Sequence, residues 1–260
     1  MKLLLDVGNS RVKWAWSSAE GLVRTGHAWH RNHDLAVALA QALQGAPAPD
    51  EVRVANVAGP AASALVAEVI LGKFGIAPVF ARSRDTAYGI RNGYSDPGQL
   101  GVDRWLAMCA AWQKFSGPMC VVDAGTAVTV DIIAADGLHS GGLIVPGVAL
   151  MVAVLRRETG DLERAAGPDG EQDLLAAPIE DRYRLGMDTA SGIRLGVIRA
   201  LAAFIADCLA RSDAVDVEAK LIITGGDGAR LARFIGVPAV SAPNLVLDGL
   251  ALDPACYTVA

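Results

Sequence analysis

An aspartate twice ends an apolar run at a glycine turn: Leu3-Leu4-Leu5-Asp6-Val7-Gly8 and, 117 residues further on, Cys120-Val121-Val122-Asp123-Ala124-Gly125. Such short apolar runs bounded by turn residues read as buried strands. A carboxylate at the end of a buried strand is partly desolvated, which is unfavourable unless a cation, a backbone donor or water compensates it. One Asp-x-Gly alone is also what a turn capped by its own aspartate looks like. Two matched copies point instead to two halves built on one plan, expected at residues 1–115 and 116–260.

Each run is followed by an alternating stretch. Residues 11–16 carry Val12, Trp14 and Trp16 on one face, and 126–133 (TAVTVDII) alternate in the same way. With Gly8-Asn9-Ser10 as the first turn, each half opens on a hairpin. Helices are expected over 34–43, 61–71, 100–115, 148–157 and 187–210, and strands over 52–57 and 77–81. Residues 83–98 read as a loop, 158–183 as a polar irregular connection, and 221–230 as strand, glycine turn and helix start. Alternating β and α elements define an α/β layered fold.

Composition narrows the function. Of the 260 residues 52% are hydrophobic, which supports a sizeable core, yet no run approaches the ~20 apolar residues of a membrane span. Asp6 interrupts the N-terminal leucines too early for a signal peptide, so a soluble cytoplasmic protein is expected. A net charge of −5 argues against nucleic-acid binding, which depends on Lys and Arg neutralising phosphates. Cys109, Cys120, Cys208 and Cys256 form no CxxC pair and are expected as buried thiols.

Asp6, Asp103, Asp123 and Asp131 all lie beside apolar or glycine-rich sequence. Gly8 and Gly125 leave room for a close ligand, and Asn9, Ser10, Thr126 and Thr129 surround them with hydrogen-bonding groups, as a phosphate cradle requires. The chain contains neither GxxxxGK[ST] nor GxGxxG, which argues against the common phosphate loops. Lys13 is either a counter-charge to phosphate or a solvated residue on the polar strand face. His27, His30 and His33 fall three apart, but across an expected strand-to-helix connection that spacing does not make a metal site.

Five segments in order, DVGNSRVK (6–13), GVDR (101–104), DAGTAVTVD (123–131), GGLIVPG (141–147) and TGGDG (224–228), resemble the type III pantothenate kinases, also known as Bvg accessory factors. The resemblance implies the superfamily of acetate and sugar kinases, heat-shock ATPases and actin. Its members have duplicated ribonuclease-H-like, actin-like halves with ATP in the cleft between them. It further implies transfer of the ATP γ-phosphate to the primary hydroxyl of pantothenate, the first step of coenzyme A synthesis. Other readings are another small-molecule kinase of this superfamily or a non-catalytic ATP-binding regulatory protein.

By the same resemblance Asp103 is the proton acceptor, and Tyr94, Gly101, Val102, Arg104 and Thr189 join it in binding pantothenate. Asp6, Val7, Gly8, Asn9, Ser10, Arg11, Val12, Lys13 and Thr126 bind ATP, with Ser10 standing where the family commonly has threonine. Asp123 is the ligand of a monovalent cation, K⁺ or NH₄⁺, and Mg²⁺ accompanies ATP on the Asp6 side. TGGDG lies on the adenosine side, and a homodimer completes the site, for which the helix over 187–210 is the candidate interface. Read on the residues alone, Tyr94 is equally a loop aromatic covering core, Arg104 half of a structural ion pair, and Thr189 a helix cap.

Overall fold

The computed structural model describes residues 1–30, 34–158, 185–210 and 219–252. Contacts divide the chain into two units, one of Met1–Ser116 and Gly137–His139 with the segment from Asn244 onward, the other of Gly117–Asp136 and Ser140–Pro243.

The first unit is organised by β1 (Lys2–Val7), which lies between two partners of opposite sense. It pairs antiparallel with β2 (Arg11–Ser18) and parallel with β4 (Glu51–Asn56). Strand β3 (Gly21–Trp29) continues the antiparallel side and β5 (Val79–Phe80) the parallel side, giving the sheet order β3-β2-β1-β4-β5. A strand paired on both edges and covered on both faces can be apolar throughout, and Leu3, Leu4, Leu5 and Val7 are fully buried. Val12 and Trp16 join the same core, with Trp14 packed against it, as the alternation requires.

Helices cover this sheet. In α1 (Leu35–Ala42) the Asp34 side chain caps the first turn by accepting the Ala36 N–H at 2.8 Å. Helix α2 (Pro60–Phe74) begins on proline and stops at Gly75 in the left-handed region. Next comes a two-strand ribbon, β6 (Thr86–Ala87) with β7 (Ile90–Arg91), and then α3 (Val102–Phe115).

The second unit repeats the sheet plan. Its centre, β8 (Met119–Ala124), pairs antiparallel with β9 (Ala127–Ile133) and parallel with β11 (Lys220–Thr224). Adding β10 (His139–Pro146) and β12 (Ala239–Ser241) gives the order β10-β9-β8-β11-β12. Helices α4 (Val148–Glu158), α5 (Thr189–Ala210) and α6 (Gly228–Ile235) supply Val148, Val152, Ile198, Ile205 and Leu231 to a core with Val122 and Ile223. The buried face of α5 is therefore an internal core face, where the sequence also allowed an interface.

Five elements depart from expectation. Strand β3 turns the first hairpin into a three-stranded meander; as a largely exposed edge strand it has no strong alternation to betray it. The β6–β7 ribbon lies within the expected loop, β12 is only three residues long, and α7 (Leu245–Ala251) carries a glycine in its middle. Gly249 packs α7 tightly on α3, since a Cβ there would fall 2.4 Å from the Leu106 carbonyl oxygen. The expected connection over 158–183 lies, apart from Glu158, outside the described residues. No helix among the described residues is long and apolar enough to cross a membrane.

Cys109, Cys120 and Cys208 are free thiols, and Cys256 lies outside the described residues. Burial, aided by Cys208 and Asp131, pushes the Cys120 thiol up to about 12, so it behaves as a small hydrophobe.

One buried charge ties the C-terminal helix to the first sheet. Arg53 of β4, only 1% exposed, meets Glu51 through Nε at 2.8 Å and Nη2 at 3.1 Å. Its Nη1 donates to the carbonyls of Leu250 at 3.0 Å and Leu252 at 2.6 Å, at the end of α7 where helix carbonyls lack partners. The hydrogen bond from Arg53 holds the Glu51 carboxyl below its usual 4.5. Because the folded value is depressed, the linked stability is present above pH 4.5 and is lost as pH falls through the folded value. Arg53→Met should cost roughly 2 to 4 kcal/mol near neutral pH, mostly for orphaned carbonyls. Thermal unfolding from pH 7 to pH 3 should show the gap between variant and wild type narrowing in acid.

Candidate active site

The first group of predicted residues lies at the end of β1. Asp6 is 8% exposed and sits opposite Lys13 in the β1–β2 register, with Lys13 Nζ 3.8 Å from Asp6 Oδ2. Lys13 is thus the compensating cation for a desolvated carboxylate rather than a solvated residue. The turn Gly8-Asn9-Ser10 follows, closed by the Gly8 N–H donating to the Arg11 carbonyl at 3.0 Å. Asn9 is exposed and Ser10 is buried. Val7 and Val12 point into the apolar core, so only their backbone groups are available to a ligand.

The second group forms at the start of α3. Gly101 is the N-cap residue, and Asp103 in the first turn accepts the Arg104 N–H on Oδ1 at 2.8 Å. An acidic side chain suits that position because the first helical N–H groups lack intrahelical acceptors. A Cβ on residue 101 would lie 2.7 Å from Asp103 Oδ1, so Gly101 makes room for the carboxylate. Arg104 is buried at 6% exposure, and its Nη1 donates to the Tyr94 hydroxyl at 2.9 Å. Val102 is buried beside it. The Tyr94 ring in turn stacks on the fully buried His139, with centroids 5.8 Å apart and planes 15° from parallel. Asn92 fixes the loop by accepting the Tyr94 N–H at 3.0 Å and donating to the carbonyls of Arg84 and Pro97.

The third group is in the second unit, where Asp123 ends β8 as Asp6 ends β1. It is opposite Thr129 on one side and Thr224 on the other. Three distant motifs meet at the turn that follows. Gly125 N–H donates to the Ala127 carbonyl at 2.9 Å, Gly147 N–H to that of Thr126 at 2.9 Å, and Asp227 N–H to that of Ala124 at 3.0 Å. Gly225 lies so close to this turn that a Cβ would fall 2.4 Å from the Ala124 carbonyl oxygen, and its φ of +90° is one that L side chains rarely adopt. Thr126 is exposed at the tip of the turn, and Asp131 is buried in β9 at 2% exposure.

Thr189 opens α5 on the surface, but the cap is Asp188, whose carboxylate accepts the Ser191 N–H at 2.7 Å. That bond holds the Asp188 carboxyl below its usual value. Asp227 stands at the start of α6, 3.5 Å from Arg230 Nη1.

The structure therefore brings Asp6 together with Lys13, and Tyr94 with Arg104 and Asp103, while the DAG, GGLIVPG and TGGDG segments converge on Ala124–Thr126. His139, Asn92 and His30 were not foreseen as contributors. The first two carry no local signal, being single polar residues at a strand start and in a loop. His27 lies in β3 and His30 directly after it, where the chain leaves β3 for α1, as expected of a strand-to-helix connection, and His33 lies outside the described residues. No cluster of metal-ligating side chains occurs among the described residues.

The fold is shared by solved structures of the actin-like ATPase and sugar kinase class. A Baf family transcriptional activator of Campylobacter jejuni superposes with a TM-score of 0.58 at 22% identity, covering 95% of this chain and 94% of that one. A ROK family glucokinase of Streptomyces griseus, in complex with glucose and AMPPNP, gives 0.51 at 12% identity, covering 96% and 97%. The fold class is thus that of the actin-like ATPases and sugar kinases. The family model for type III pantothenate kinase matches residues 2–211. A type III pantothenate kinase of Nitrosococcus oceani is 36% identical over 258 residues, covering 96% of this chain and 92% of the relative. One of Azoarcus sp. is 37% identical over 255 residues, covering 97% and 90%. The chain belongs to the type III pantothenate kinase family.

The close approach at Gly225 is testable. Gly225→Ala should lower stability by roughly 2 to 4 kcal/mol through a strained backbone and a steric overlap. Gly196→Ala, where an added Cβ meets nothing within 4 Å on α5, should be neutral or mildly stabilising. Thermal unfolding of the two variants against wild type checks both.

Proposed function

We propose that this protein transfers the γ-phosphate of ATP to the primary hydroxyl of pantothenate, the entry step of coenzyme A synthesis, in the cytoplasm and as a homodimer. The observation that carries the reading is the grouping at the head of α3, a carboxylate at Asp103 beside the buried guanidinium of Arg104 with the Tyr94 hydroxyl on it. Pantothenate offers one carboxylate and one primary hydroxyl. A planar guanidinium matches the carboxylate, and an aspartate within reach can take the hydroxyl proton.

In the reaction the pantothenate oxygen forms a bond to the γ-phosphorus as the bond to the ADP oxygen breaks, and the hydroxyl proton passes to Asp103. Phosphoryl transfer of this kind has a loose transition state, so placement of the acceptor matters more than basicity. Tyr94 and Thr189 orient pantothenate, with Gly101 and Val102 shaping the approach. Backbone and side-chain donors over residues 6–13, together with Thr126, hold the phosphates, and Lys13 offsets their charge. The donor sets of Asp6 and Asp123 are hard oxygens at partly desolvated strand ends, which suits the cations implied by the family: Mg²⁺ near Asp6 and K⁺ or NH₄⁺ at Asp123. These cations would supply charge neutralisation on the phosphates.

Asp103→Asn keeps the size and the acceptor oxygen for the Arg104 N–H but cannot take a proton. Turnover with ATP and pantothenate should fall by about 100-fold or more while the melting temperature stays near wild type. Near-normal turnover would remove Asp103 from the acceptor role. Phosphorylation of sugars or other acids in preference to pantothenate would overturn the substrate reading.

A further inference from the structure

The register of the first sheet carries a further consequence. Trp29 ends β3 opposite Arg11, so the next residue, His30, falls beside the Gly8-Asn9-Ser10 turn. His30 touches that turn twice. Its backbone N–H donates to the Ser10 carbonyl at 3.1 Å, and its ring Nε2 lies 2.8 Å from the Gly8 carbonyl oxygen. A carbonyl only accepts, so Nε2 carries the proton in this contact. Alongside, the Arg11 guanidinium lies 3.9 Å from the centroid of the Trp29 ring, gripping the outgoing end of the same turn.

Peptide geometry converts these bonds into an orientation. In a planar trans peptide the C=O and the following N–H point in opposite directions, and no cis peptide occurs among the described residues. Drawing the Gly8 carbonyl onto the His30 ring turns the Asn9 N–H away from β3. Drawing the Ser10 carbonyl onto the His30 backbone turns the Arg11 N–H away as well. The turn then presents backbone donors on the side remote from His30, which is the arrangement an anion needs, and it does so before any ligand arrives.

We propose that His30 is a positioning residue for ATP, holding the Gly8–Ser10 turn with its backbone N–H groups preset toward the phosphates. The proposal rests on the reading of residues 6–13 as the phosphate-binding segment. It assigns no contact between His30 and the nucleotide; the ring acts through the Gly8 carbonyl. Only the side-chain bond is specific to histidine, because any residue at position 30 could supply the backbone bond.

Three proteins test it: wild type, His30→Phe, which keeps a ring but has no donor, and His30→Gln, which restores an N–H of similar reach. ATP binding by calorimetry and steady-state KM values for both substrates are the readouts. His30→Phe should weaken ATP binding and raise the ATP KM roughly tenfold, the loss of one hydrogen bond, while leaving the pantothenate KM unchanged. His30→Gln should recover most of the ATP affinity. Unchanged ATP affinity in His30→Phe, an equal rise in both KM values, or a glutamine variant as weak as phenylalanine would overturn the proposal. In the wild-type protein itself, the amide resonances of Asn9 and Arg11 should shift on titration with ATP; their failure to move would overturn it even if His30→Phe did not fold. Wild-type protein that binds ATP but makes no phosphopantothenate would refute the pantothenate reading and leave the ATP titrations to decide on His30.

Discussion

A carboxylate held at the end of a strand buried on both faces is the constraint from which the rest of each unit follows. There Asp6 and Asp123 lose part of their hydration, a cost that neighbouring groups must offset. In the first unit Lys13 offers part of that compensation from the neighbouring antiparallel strand, and its position is set by the β1–β2 register. The surrounding sheet is arranged to make the strand end accessible: an antiparallel partner reached by a tight turn on one side, a parallel partner on the other. Ligands of open α/β sheets gather at such carboxyl ends. Both central strands have such an end, and the two sheets share one strand order.

Around those strand ends, backbone does most of the shaping. Turns built on Gly8 and on Gly125 leave N–H groups where side chains would otherwise stand, and Gly225 and Gly147 reach the second turn only because neither has a Cβ. Side chains then act on the backbone: His30 on the Gly8 carbonyl, Asp103 on the Arg104 N–H, Asn92 on the Tyr94 N–H. The Tyr94 hydroxyl, accepting from Arg104 while its ring rests on His139, keeps a guanidinium in place at the head of α3. A charge fixed in this way would need little reorganisation on meeting an anion.

Much of this was legible from residue order, for physical reasons that differ by element. Strands β1 and β8 announce themselves as apolar runs and β2 and β9 as alternation. Edge strands bury little and therefore carry no period, which is why β3 escaped notice and with it the place of His30. The return of α7 to the first unit depends on Arg53 reaching the carbonyls of Leu250 and Leu252, a pairing of residues some 200 positions apart that no local pattern encodes. At the site, the aspartates and glycines stood out because each is costly or unusual in its setting. Lys13 and Arg104 were ambiguous until their partners, Asp6 and Tyr94, were located. His139 and Asn92 gave no sign, since a single histidine or asparagine becomes functional only through the neighbour that the fold brings to it.

The central claim is that these strand ends and the head of α3 serve a phosphoryl transfer to pantothenate. Phosphorus NMR of the wild-type protein with ATP, Mg²⁺ and K⁺ or NH₄⁺, recorded before and after pantothenate is added, tests it most directly. The account predicts that the γ-phosphate signal is stable at first and then passes into a phosphomonoester as ADP appears in equal amount. Release of inorganic phosphate without pantothenate, or a γ-phosphate signal indifferent to its addition, would contradict the account.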